Sequence, residues 1–218
     1  MTMMTRRQAG RAALTAGALA VLGGAVTVSP AAAADDPATR SPILVGANPA
    51  VQLFDSSGAC TAYVSCWRVD WSVRGSGTAV VFWRPDGVTV LGRDPELGGW
   101  LAERFVRHFP ELEGLPWSPP AFERCDAHLD VDLARGMRAR AGQVEVTVAD
   151  VLDRRSYTTD GFELAGVPHS LHLVLAPCRS GDIRVAGRAL RGTVDFWGTP
   201  ERPGSSAFVT EAEVWRAP

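Results

Sequence analysis

Polar and apolar residues alternate one by one over long stretches of this chain. A period of two has one good structural solution, an extended strand with one face in a core and the other in water. In "WRVDWSVRG", Trp67, Val69, Trp71 and Val73 alternate with Arg68, Asp70, Ser72 and Arg74. In "CDAHLDVDL", Asp126, His128, Asp130 and Asp132 alternate with Cys125, Ala127, Leu129, Val131 and Leu133. "VEVTVADVL" (144–152), "SLHLVLA" (170–176), "DIRVAG" (182–187), "GTVDFW" (192–197) and "AFVTEAEVW" (207–215) read as further strands. In "TAVVFWRPDGVTVLG", Pro85 presets a turn that Asp86-Gly87 closes, so the two flanking runs form a hairpin. "VVFW" is apolar at every position, the mark of a strand covered on both faces.

A helical period occurs in one place. In "DPELGGWLAERFVRHF" (94–109), Asp94 caps, Pro95 occupies the first turn, and Leu97, Trp100, Leu101, Phe105 and Phe109 make the buried stripe. Pro110 stops it. Residues 110–124 carry four prolines and read as a stiff connection in which Trp117 is exposed, and 198–206 as a loop. The expected fold is mainly β (α+β): an antiparallel β-sandwich or open barrel of roughly eight to ten strands with one principal α-helix at about 94–109. Residues 35–50, rich in Pro and Ala, read as a flexible tether, and 51–218 as a single β-rich domain.

Residues i and i+2 on a strand point the same way with Cα atoms about 6.6 Å apart, so Asp126 with His128, or His128 with Asp130, has chelating geometry. His169 or His172 in "PHSLHL" supplies a further candidate ligand, and His172 beside Asp132 an acid–base pair. Regular alternation equally describes the wet face of an ordinary half-exposed strand, and that reading is favoured. His108, on the edge of the helical stripe, reads as a packed histidine.

Cys60, Cys66, Cys125 and Cys178 are even in number and lack paired C-x-x-C spacing, which disfavours structural zinc. Two disulfides are expected, Cys60–Cys66 across "TAYVS" and, by elimination, Cys125–Cys178.

All 22 basic residues are arginine. The absence of lysine excludes a Schiff-base lysine, a P-loop lysine, a Ser–Lys dyad and a lysine general base. No nucleophile-elbow, zincin, Walker, dinucleotide-binding or EF-hand motif is found.

The N-terminus reads "MTMMTRRQAGRAALTAGALAVLGGAVTVSPAAAADD". Arg6, Arg7 and Arg11 precede an apolar run from Ala12 to Val28, and Ala32-Ala33-Ala34 offers small residues to a signal peptidase. The leader (1–34) resembles a twin-arginine type bacterial export signal, with Arg6 and Arg7 as its pair and cleavage after Ala34. The resemblance implies export across the cytoplasmic membrane to the envelope or the medium, with no stable membrane insertion after cleavage. The formal charge of −2 becomes more negative once the leader's arginines are removed, which makes nucleic acid a poor partner.

The function that fits best is a disulfide-stabilised binding or interaction domain, its partner an unknown protein or a small apolar ligand, with no cofactor. The alternatives are a small exported hydrolase or metal-dependent enzyme using His128, His172 and the Asp126/Asp130/Asp132 row, and a structural envelope protein.

Overall fold

The structure, a computed structural model, describes residues 41–216. The expected export signal, with Arg6, Arg7 and the expected cleavage position at Ala34, lies outside the described residues. Fifteen strands and one α-helix follow in chain order among the described residues. They are β1 (Pro42–Ala47), β2 (Ala50–Phe54), β3 (Cys60–Ser72), β4 (Gly77–Arg84), β5 (Gly87–Gly92), α1 (Pro95–Arg104), β6 (Ala121–Arg124), β7 (Ala127–Asp132), β8 (Gly136–Ala141), β9 (Val144–Val151), β10 (Arg155–Leu164), β11 (Val167–Val185), β12 (Arg188–Ala189), β13 (Phe196–Thr199), β14 (Arg202–Ser205) and β15 (Ala207–Arg216). Thirteen of the strands form one hydrogen-bonded ladder, and β13 pairs only with β14.

The ladder runs β6-β5-β4-β3-β1-β15-β11-β9-β8-β7, with β2 joined to β3 and β15, and β10 and β12 to β11. Every pairing is antiparallel except β5 with β6. One strand turns this ribbon into two sheets. The first part of β11, His169–Pro177, pairs with β15, and its last part, Cys178–Val185, pairs with β9. The sheet of β7, β8, β9 and the end of β11 then packs on the face of β2–β5 that α1 leaves free.

The middle sheet is therefore buried on both sides, and its strands show why their residues are apolar at both parities. In β4, Val81 and Trp83 join the core beneath α1, whereas Val80 and Phe82 join the core between the sheets. In β3, Tyr63 and Trp67 face the helix, and Ala62, Val64 and Cys66 face the second sheet. The result is a β-rich α+β sandwich in three layers: helix, sheet, sheet.

The helix begins as expected. The Asp94 carboxylate accepts from the backbone N–H of Glu96 and of Leu97, and Pro95 occupies the first turn. It ends at Arg104 rather than at Phe109. The chain tightens into 3-10 turns at Val106–His108 and Pro110–Leu112, which keep Phe105 and Phe109 against Trp67.

Four expectations are corrected. Residues 42–50 are not a tether: β1 lies inside the ladder between β3 and β15, with Leu44 and Ala47 buried. The short apolar run "PILVGA" suffices, because Pro42 opens the strand, where its missing N–H costs little. The Trp67–Val73 face is not buried throughout. A bulge where β1 pairs β3 between Val45 and Gly46 reverses the parity, so Trp67 and Val69 are buried while Trp71 and Val73 are exposed. Gly46 is needed there, since a Cβ would lie 2.1 Å from the Arg68 carbonyl oxygen. Trp117 is half-buried, its Nε1–H donating to Glu103 at 3.0 Å. Residues 196–205 form the β13–β14 hairpin rather than a loop.

The disulfides are a fifth correction, because all four cysteines are free thiols. Cys60 and Cys66 lie on the single extended strand β3. Six residues of strand separate their Cα atoms by about 20 Å, against a limit of about 7 Å for a bridge. Cys125 neighbours Gly142, in the turn before β9, whereas Cys178 pairs with Val151 at the far end of that strand. The length of β9 stands between them. Burial pushes the Cys60 thiol up to about 11 and the Cys178 thiol up to about 12, and it raises Cys66 further still. Thiol titration of denatured, unreduced protein is expected to find four reactive groups, and to find the Cys66 thiol the slowest to react in the folded state. Fewer than four thiols after denaturation would overturn the assignment of four free cysteines.

Candidate functional site

The residues singled out in the sequence do not converge. On β7, His128 and Asp130 are exposed, and Ala127, Leu129 and Val131 pack against the core between the sheets. His128 stands opposite Arg140 and Asp130 opposite Arg138 on β8. Arg140 in turn faces Glu145 on β9, which faces Arg184 on β11. The acidic row is thus the edge of a ladder of alternating charges on the wet face of the second sheet. Asp126 accepts a hydrogen bond from Arg93 Nε at 2.6 Å, which holds its carboxyl below the usual value. Asp132 accepts from the backbone N–H of Ala134 and Arg135, closing the β7–β8 turn.

His172 lies elsewhere, on the first part of β11 between Thr158 of β10 and Glu213 of β15. Its Nδ1 is 3.9 Å from the Glu213 carboxylate, and Arg68, Asp70 and Glu211 share the same open polar surface. His172 does not come beside Asp132, because β8 and β9 stand between β7 and β11. Leu129 and Leu171 accordingly belong to different cores. His169 is at the start of β11, its Nδ1 2.9 Å from the Val167 carbonyl, and His108 is exposed rather than packed. Among the described residues, no group of three or more His, Cys, Asp and Glu side chains could hold a metal ion.

If the β7 row is wet surface, His128→Ala stays within about 0.5 kcal/mol of wild type, whereas Leu129→Ala or Val131→Ala costs on the order of 1–3 kcal/mol through lost burial. Denaturant melts check this; a His128→Ala loss as large as that of Leu129→Ala contradicts it.

An apolar cavity lies under the 3-10 segment on the helix side of the first sheet. Its floor is a matched row across four strands: Leu44 of β1 opposes Val214 of β15, Val214 opposes Leu171 of β11, and Leu171 opposes Thr159 of β10. Leu173 and Ala212 form the next row. The helix covers β4 and β5 but stops short of this part of the sheet. The roof is supplied instead by Phe105, Phe109, Pro110 and Glu111, and the exposed His108, Gly161 and Glu163 frame the mouth. The cavity measures about 350 Å³ and its walls are predominantly apolar.

The roof is fixed by side chains reaching up from the sheet. Gln52 Nε2 donates to the Glu111 carbonyl at 2.7 Å, and Trp83 Nε1 donates to the Pro116 carbonyl at 2.8 Å. At one wall, Asn48 Nδ2 donates to Ser65 Oγ and to the Cys66 carbonyl, and Thr210 Oγ1 donates to the Asn48 carbonyl at 2.7 Å. These polar walls are satisfied and rigid. The buried Tyr63 hydroxyl and Trp67 Nε1 have no hydrogen-bond partner among the described residues.

Glu111 is the chemically conspicuous member. Among the described residues no arginine or histidine forms an ion pair with it. Desolvation by the surrounding protein raises its carboxyl above the usual glutamate value. Burial, with the charge of Glu111 as a further cause, likewise raises the Tyr63 phenol. The folded state therefore holds the Glu111 proton where the unfolded chain has released it, above about pH 4.3. This contribution favours the fold below that value and is lost as the pH rises through the folded-state value. Glu111→Gln removes the titration, so its stability relative to wild type is expected to improve as the pH rises from about 4 to about 7. Paired denaturant melts read the difference; a difference that stays flat over that range sinks the assignment.

The sequence singles out neither Glu111 nor the cavity. Trp67, Phe105 and Phe109 are identified there as core, and Glu111 falls in the stretch read as a connection. The one available signal is that the aromatic pair Phe105 and Phe109 continues past the helix into a Pro-rich segment. No protein-family model, curated protein or solved structure matches the chain.

Proposed function

We propose that this protein is a non-catalytic binding domain that takes up a small apolar molecule in the cavity beneath residues 105–111. The observation that carries the proposal is the cavity itself. It has about 350 Å³ of space and a predominantly apolar lining, within the range of sites that enclose small ligands. Its walls come from a hydrogen-bonded sheet and a roof pinned by Gln52 and Trp83, so the site is formed before a ligand arrives and little ordering is needed on binding. Export across the cytoplasmic membrane, read from the leader, belongs to the same proposal and puts the cavity within reach of molecules outside the cytoplasm.

A neutral fluorescent hydrophobe such as N-phenyl-1-naphthylamine tests the reading. Its emission is expected to rise saturably on titration with the protein. Ala212→Phe, which fills the floor beside Leu173, is expected to weaken binding at least tenfold, about 1.4 kcal/mol. A signal that does not saturate, or that survives Ala212→Phe unchanged in a folded variant, rules the cavity out as the binding site.

A further inference from the structure

The cavity is aromatic and acidic at once. Trp67, Phe105, Phe109, Phe162 and Phe208 contribute rings to its walls, with Trp67 stacked on Phe109 at 6.1 Å and edge-on to Phe105 at 5.7 Å. Its titratable side chains are Glu111, Glu163 and His108, and no arginine among the described residues lines it. Arginines are plentiful elsewhere and pair with acids over the surface, as Arg68 does with Glu211 and Arg93 with Asp126. Glu111, a partly buried carboxyl with no ion-pair partner among the described residues, thus lies where the protein leaves room for a guest.

We infer that the cavity selects a small lipophilic organic cation, an amine or quaternary ammonium on a hydrocarbon body; this rests on the reading of the cavity as a ligand site. The chemistry of each wall points the same way. The faces of aromatic rings carry negative electrostatic potential and attract a cation, more strongly when water is excluded. The hydrocarbon body fills the apolar floor of Leu44, Leu171, Leu173 and Val214. The ammonium supplies the counter-charge that Glu111 otherwise lacks, and so compensates the cost of holding that carboxylate away from water. An anionic ligand of the same shape meets two carboxylates and no arginine. A neutral one fills the space but leaves Glu111 as it was.

Three ligands sharing one chain isolate the charge: decyltrimethylammonium, decanol and decanoate, each titrated calorimetrically into the full chain at neutral pH below its micelle concentration. The cation is expected to bind about tenfold more tightly than decanol, and decanoate most weakly. Glu111→Gln, which keeps the size of the side chain, is expected to lose about that tenfold for the cation while leaving decanol within about twofold. Decanol binding as tightly as the cation overturns the charge selection but leaves the apolar site standing, as does an unchanged cation affinity in folded Glu111→Gln. If none of the three binds, the ligand-site reading itself falls. Should Glu111→Gln fail to fold, the order of the three ligands on the wild-type protein decides the matter alone.

Discussion

The structure depends on the double burial of β3 and β4. A sheet with one apolar face needs one covering layer, but strands that are apolar at both parities need two. Val80 and Phe82 can leave water only against a second sheet, and Val81 and Trp83 only against a helix or its equivalent. Everything else in the topology follows as a means of supplying these covers. The helix closes one side at once in sequence, directly after the β4–β5 hairpin. The other side waits for β7, β8 and β9, and the return of β11 ties that cover to the ladder by hydrogen bonds. Each Val or Leu fully buried in this way contributes on the order of 1.5–3 kcal/mol, so both covers are held by many side chains.

The two covers differ in extent, and the cavity is the difference. α1 is ten residues long and reaches β4 and β5, not β15 or β10. Beyond its end the chain does not continue as helix, and the 3-10 turns carry aromatic side chains out over the sheet without filling the space below them. Gln52 holds the second turn from beneath through the Glu111 carbonyl, and Trp83 holds the chain just beyond it through the Pro116 carbonyl; both Phe109 and Glu111 line the cavity.

The architecture was legible in the sequence where pattern is local. "VVFW" announced a central strand, Asp94-Pro95 a helix start, and Pro85-Asp86-Gly87 a hairpin; the structure has all three. β10 was missed because "RRSYTTDGFEL" mixes polar residues into both faces, its burial coming from β11 and the cavity rather than from its own period. β1 was missed because its few apolar residues sit among prolines, although the ladder buries Leu44 and Ala47. The cysteine pairing failed for a related reason: parity of number says nothing of whether two thiols share one extended strand. The acidic row of β7 was correctly placed on a wet face by its alternation, while its arginine partners on β8 come from strand register, which no single stretch encodes. The cavity was the least legible of all. Its walls draw on β1, β3, β10, β11, β15 and the 3-10 turns, so Leu44, Glu111, Thr159 and Ala212 have no common signal along the chain.

β11 carries a further consequence. Its 19 residues serve two sheets, and the count shifts by one where it passes between them: Ala176 and Cys178 face the inter-sheet core on one parity, Ile183 and Val185 on the other. Leu171 and Leu173 must face the cavity while Ile183 faces the inter-sheet core. Inserting or deleting one residue anywhere between Leu173 and Ile183 would turn one end inside out relative to the other, because a single-residue slip exchanges the faces of a strand. Descendants of this chain can therefore vary freely in their hairpin tips, but the length of this one segment can change only by pairs of residues, or by a bulge that absorbs the odd one. The strand works as a ruler held against two surfaces at once.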